Sequence, residues 1–154
     1  MKITGTFLKA GVVNGNGRMY TEEALAGMIK QFQERDHAMY GMFGYPDDAD
    51  VHLSHVSHKV NSLKIKYKRV PRKKKKELKK NGTFEIIKKK KCDLVGEIEL
   101  LDTTYGKVAK NLMDLCVVRP MGTGTISAEG VVENYKLISF SLIPKSEDSF
   151  KDIL

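Results

Sequence analysis

The chain is expected to fold as an α+β domain around a mostly antiparallel sheet or barrel. Three observations predict this. Segments of strand-like alternation are short and separated by turn residues. Two helical patterns, each with a threonine cap, interrupt them. In chain order the segments run β, α, several β, α, several β, with no internal repeat. The 154 residues and 41% apolar content suit one domain with a sizeable core.

The elements follow in order. Residues 1–13 alternate loosely through Ile3, Phe7, Val12 and Val13, and Gly11 breaks the strand. Asn14-Gly15-Asn16-Gly17-Arg18 is turn chemistry, because Asn and Gly tolerate positive φ. Thr21 is placed to cap a helix, and Glu22 and Glu23 suit the positive end of its dipole. Ala24, Leu25, Met28, Ile29 and Phe32 then recur at helical spacing, predicting a helix over residues 22–35 with its stripe in the core. Residues 39–43 read as a short strand ending at Gly44. A loop follows, because Pro46 keeps Tyr45 out of the helical region.

Residues 52–62 fit either a short helix or a strand, and residues 63–68 alternate apolar and basic as a half-buried strand does. Residues 94–101 form a well-patterned strand. Asp102-Thr103-Thr104 caps a second helix over residues 105–115, with Val108, Leu112 and Leu115 on one face. Residues 120–130, rich in Gly, Ser and Thr, read as a loop. Residues 131–132 and 137–143 read as strands before a polar, acidic tail.

The net charge of +8 is concentrated in one segment. Between Lys64 and Lys91 lie 15 of the 27 basic residues and two of the 19 acids, leaving a mildly acidic remainder. Lys73, Lys74, Lys75, Lys76, Lys79, Lys80, Lys88, Lys89, Lys90 and Lys91 repel one another and require water. Residues 69–91 are therefore expected to project as a basic insertion, turned by Asn81-Gly82. It is either a solvated loop or a polyanion contact. Lysines bind phosphate as point charges without sequence preference, and few aromatics are present for stacking on bases.

No run of apolar residues reaches membrane-spanning length, and residues 1–5 lack the apolar core of a secretory signal. Cys92 and Cys116 form no C-x-x-C pair and are expected as reduced core thiols.

Three of the four histidines, His52, His55 and His58, are spaced by three. On a helix they diverge, and on a strand they alternate faces, so neither arrangement offers zinc three convergent ligands. The plain expectation is one buried histidine with a satisfied ring nitrogen and two at the surface. Ser127 lies in the small-residue stretch, where a serine can present a free Oγ beside backbone N–H groups. To act as a nucleophile it needs a histidine within hydrogen-bond reach. No metal or cofactor is expected.

The order of the motifs is more specific than any one of them. Asn14, Asn16, Arg18 and Tyr20 match a pattern Asn-x-Asn-x-Arg-x-Tyr. Gly44-Tyr45-Pro46 and Ser57-His58 follow. Leu101, Asp102, Thr103, Gly106 and Lys107 match Leu-Asp-Thr-x-x-Gly-Lys. In this order the chain resembles the prohead core proteases of tailed bacteriophages, outside the lysine-rich insertion.

The resemblance implies an assemblin-like fold, a small antiparallel β-barrel with flanking helices. It implies a serine peptidase that cleaves scaffold and capsid proteins in the immature head. It places the chain in a prohead or virion within an infected bacterium. Capsid or scaffold proteins are then its partners, packaged DNA is the polyanion for the arm, and an oligomer is compatible with that setting.

The chain departs from the family at its chemistry. The family keeps His-Pro where this chain has Tyr45-Pro46, and tyrosine, with a pKa near 10, is a poor base at neutral pH. With Gly130 in place of the last glycine, the family's Gly-Val-Ser-Ser-Arg-Gly aligns with Thr125-Ile126-Ser127-Ala128-Glu129-Gly130, keeping the first serine but replacing the second serine and the arginine with Ala128 and Glu129. No acid stands in Ser139-Phe140-Ser141-Leu142-Ile143-Pro144, where the family carries an aspartate. The expectation is a head-assembly or structural protein without peptidase activity. The alternative is an active endopeptidase using Ser127 and His58.

Overall fold

The computed structural model describes residues 1–15, 17–44, 50–67 and 91–145. Among these, six strands and two helices are β1 (Lys2–Ala10), α1 (Glu22–Gln33), β2 (Met39–Met42), β3 (Val56–Tyr67), β4 (Cys92–Leu100), α2 (Thr104–Leu112), β5 (Cys116–Ile126) and β6 (Val132–Pro144). Single 3₁₀ turns at Leu53–His55 and Met113–Leu115 lead into β3 and β5. Both caps act as expected. Thr21 Oγ1 accepts from Ala24 N at 3.1 Å, and Thr103 Oγ1 accepts from Gly106 N at 2.9 Å. The helices are shorter at their C-terminal ends than their patterns predict.

The strands form two antiparallel sheets, one in the order β1-β4-β3-β2 and the other pairing β5 with β6. In the larger sheet, alternation sends Ile3, Leu94, Ile98, Val60 and Leu63 inward, while Lys2, Lys9, Lys59 and Lys64 line the outer face. Its inner face packs on the β5–β6 pair, with the Phe7 and Phe140 rings 5.1 Å apart. Helix α1 buries Leu25 and Met28 in the same core. Gln31 fastens it to β6, donating to Tyr135 O at 2.9 Å and accepting from Leu137 N at 2.8 Å. Cys92 and Cys116 are both buried.

Two expectations are corrected here. The small-residue stretch 120–130 is not a loop, because β5 runs to Ile126 and only the hairpin tip beyond it turns. Pro120 is tolerated because it stands opposite Phe140, whose carbonyl points away from β5, so no ladder bond is required of it there. The barrel, in turn, is not closed by strand ladders among the described residues. Between β2 and β6 there is one isolated bridge, Phe43 to Leu142. Between β1 and β5 there is a groove of about 230 Å³.

Side chains link the two open seams. At β1–β5, buried Arg119 donates through Nη1 to Val118 O at 2.7 Å and to Thr6 O at 3.3 Å. A prolyl nitrogen has no N–H to offer β1, and the guanidinium spans the gap instead. At β2–β6, Ser139 Oγ donates to Tyr40 O at 2.6 Å. His58 supplies the other link.

Candidate functional site

His58 stands on β3 opposite Gly41 of β2 and Leu100 of β4. Its ring crosses the seam, and Nε2 lies 2.8 Å from Phe140 O on β6. A carbonyl only accepts, so Nε2 carries the proton and donates it. Nδ1 is then the bare nitrogen and accepts from Ser57 Oγ at 2.7 Å. Both nitrogens are occupied within the protein, and both Ser57 and His58 are 0% exposed.

Gly41 makes room for this ring. A Cβ there would collide with His58 Nε2 and Phe140 O. Burial pushes the His58 pKa down from 6.5 to about 4, against a smaller upward pull from the Phe140 carbonyl. At neutral pH the ring is therefore neutral. Ser57 and His58 have the composition of a nucleophile and a base. Packed as they are, they form a closed hydrogen-bond chain from Ser57 to Phe140 rather than an accessible pair.

Ser127 is elsewhere. It opens the tip of the β5–β6 hairpin, where its Oγ accepts from Val131 N at 3.1 Å and its backbone bonds to Val131 and Gly130. Pro120 is level with Phe140, and Ser127 lies seven residues further along the chain, just past the end of β5. At the ordinary rise per residue of a strand this is roughly 20 Å. The structure does not bring Ser127 and His58 together. The β5 residues level with His58 are Arg119, Pro120 and Met121, none of which is a nucleophile.

The residues around Ser127 are instead held by the first motif. Asn14 Oδ1 accepts from Arg18 N at 3.0 Å, and Asn14 O accepts from Gly17 N at 3.0 Å. Met19 then bonds to the hairpin on both sides, donating to Gly130 O at 2.8 Å and accepting from Val132 N at 2.9 Å. The Asn14–Tyr20 motif therefore fixes the hairpin tip. The third motif has a comparable structural use, since Thr103 Oγ1 donates to Val56 O and anchors the start of α2 beside Ser57.

His52 and His55 are exposed, as the plain reading of the histidines expects. Their rings lie edge to face at 6.3 Å, and His55 packs on Tyr105 at 5.0 Å. Among the described residues no group of three His, Cys, Asp or Glu side chains is placed to hold a metal. No helix among them is long and apolar enough to cross a membrane. Tyr45, at the family's histidine position, lies outside the described residues. So do Lys73, Lys74, Lys75, Lys76, Lys79, Lys80, Lys88, Lys89 and Lys90, while Lys91 is described and exposed at the start of β4.

Sequence reasoning missed three functional parts of this arrangement: Gly41, Arg119 and the carbonyl of Phe140. A backbone acceptor leaves no mark in a sequence. The Arg119-Pro120 pair inside an apolar run was the one available sign of a strand edge that pairs by side chain.

No family model matches the chain, and no curated protein matches it in sequence. Among solved structures, the chain is similar to the bacteriophage T4 capsid assembly protease, with a TM-score of 0.60 and 20% identity. The match covers 92% of this chain and 80% of that one. A likeness of this kind establishes the fold: antiparallel sheets and two helices arranged as in a phage capsid assembly protease.

Proposed function

We propose that this chain is a bacteriophage head-assembly protein that uses the capsid-protease fold without peptidase activity. The observation that carries the reading is His58. Its two nitrogens are bound inside the core, and its place in the fold is that of a seam clip. The separation of Ser127 from it, and tyrosine at position 45, support the same reading. On this proposal the partners are capsid or scaffold proteins, and the setting is the prohead or virion. The fold then serves as a docking body and not as a catalyst.

A serine-directed fluorophosphonate probe tests this. No labelling at Ser127 and no cleavage of the cognate capsid or scaffold proteins are the expected results. Labelling at Ser127, together with cleavage that stops in Ser127→Ala, would favour the active endopeptidase instead.

The lysine-rich insertion is the part of the proposal that concerns DNA. Residues 69–91 carry a dense positive charge on a chain that is otherwise mildly acidic. Binding to packaged DNA through such a segment is non-specific and salt-dependent. Tyr67 and Cys92 face each other across the β3–β4 ladder, so residues 68–91 can be replaced by a two-residue Asn-Gly turn without disturbing the register. The shortened protein is expected to stay folded and to lose DNA retention, which in the intact chain fades between about 50 and 200 mM salt. Equal retention by both forms at low salt would remove DNA from the proposal.

A further inference from the structure

Helix α2 rests on the sheet through its two buried positions, Gly106 and Ala109. A Cβ at position 106 would run into Leu101 O and Ser57 O, so the helix backbone itself lies against the sheet. The larger apolar side chains consequently face outward. Val108 is 39% exposed, Leu112 37%, and Leu115, in the turn that ends the helix, 59%. They recur at i, i+4 and i+7, so they form one stripe. Leu53, 86% exposed, lies in the turn that sets His55 against Tyr105 at the other end of the helix. Among the described residues, the helix thus has an apolar face that nothing covers.

We propose that this face joins two copies of the chain, with their α2 helices antiparallel about a two-fold axis near Asn111. The charges on its rim favour this occupant. Lys107 and Asp114 are both exposed and stand seven residues apart on the same side of the helix. An antiparallel two-fold pairing lays that rim on itself and sets Lys107 against Asp114 of the second copy, twice. A parallel two-fold pairing would carry this rim to opposite sides of the dimer and leave Lys107 and Asp114 without these partners. Exposed Asn111 lies between them, and its amide can both donate to and accept from its own copy across the axis. The face is short, so the association is weak and becomes visible only at high protein concentration. It involves no residue of the His58 seam and is independent of peptidase activity.

Sedimentation equilibrium on the full chain, up to about 1 mM, tests the proposal. A monomer–dimer equilibrium is expected. Leu115→Asp is expected to raise Kd at least about tenfold, with an unchanged far-UV spectrum because the side chain is exposed. Lys107→Asp and Asp114→Lys should each weaken the dimer, and the double exchange should restore it to within about threefold. A chain that stays monomeric throughout would overturn the proposal. So would a dimer that none of these changes affects, or an exchange that fails to restore it.

Discussion

Replacing Gly41 by alanine is expected to destabilise the protein by about 3 kcal/mol. The added methyl would occupy the space of His58 Nε2 and Phe140 O, the two ends of the hydrogen bond that joins β3 to β6. Either the ring leaves, and the buried Phe140 carbonyl and Ser57 hydroxyl lose their partner, or the two sheets part. Each outcome costs a buried hydrogen bond and some packing. The denaturant midpoint measures the loss, and in a protein of this size the melting temperature should fall by roughly 10 °C. Gly27 in α1 is the control, because a Cβ there meets nothing within 4 Å. Gly27→Ala should instead stabilise by about 0.5–1 kcal/mol. Equal stability of Gly41→Ala and the native chain would show that the ring does not need that space.

Mild acid is expected to weaken the fold through the same ring. His58 takes up its proton near pH 6.5 in the unfolded chain but only at about pH 4 when folded. Above pH 6.5 neither state holds that proton, and the folded protein is unaffected. Between pH 6.5 and 4 the unfolded chain binds it and the folded chain does not. Stability then falls by about 1.4 kcal/mol per pH unit, on the order of 3 kcal/mol in all, and the loss is complete below the folded-state value. The cause is the removal of the imidazolium from water, since the groups bonded to the ring, Ser57 and Phe140 O, are neutral. Denaturant titrations at pH 7 and pH 5 measure it. His58→Gln retains an N–H able to reach Phe140 O and should lose most of the slope in that window. A variant as acid-sensitive as the native chain would assign the slope to other groups.

Much of the architecture is legible residue by residue. Thr21 and Thr103 mark the starts of both helices because a threonine oxygen can satisfy an orphan N–H only at that position. The alternation of residues 94–100 and 63–67 gives the strands and their inner faces. The histidines divide as their spacing suggests, with one inside and two outside. The stretch 120–130 was not legible, because glycine, threonine and proline are common to loops and strand edges. Its strand character comes from β6 opposite, where Gly122 lies so close to Lys136 O and the Tyr135 ring that a Cβ would not fit. The stripe of α2 was legible as one face, but not the side to which it turns. That depends on Gly106 resting on the carbonyls of Ser57 in β3 and of Leu101 just beyond β4.

The candidate site divides in the same way. Motif order pointed to His58 and Ser127 as the surviving members of a catalytic set, and to Tyr45 as a departure from it. Local chemistry along the chain determined the elements, their caps, the inner faces and the segregation of positive charge into residues 69–91. These depend on neighbours a few residues apart. Only the tertiary structure decided that His58 reaches Phe140 across an open seam, that Arg119 bridges the other seam, and that Ser127 lies at a distant hairpin tip. Each of these depends on the distance between strands far apart in sequence, and at both seams the partner is a backbone carbonyl, which every residue type carries alike.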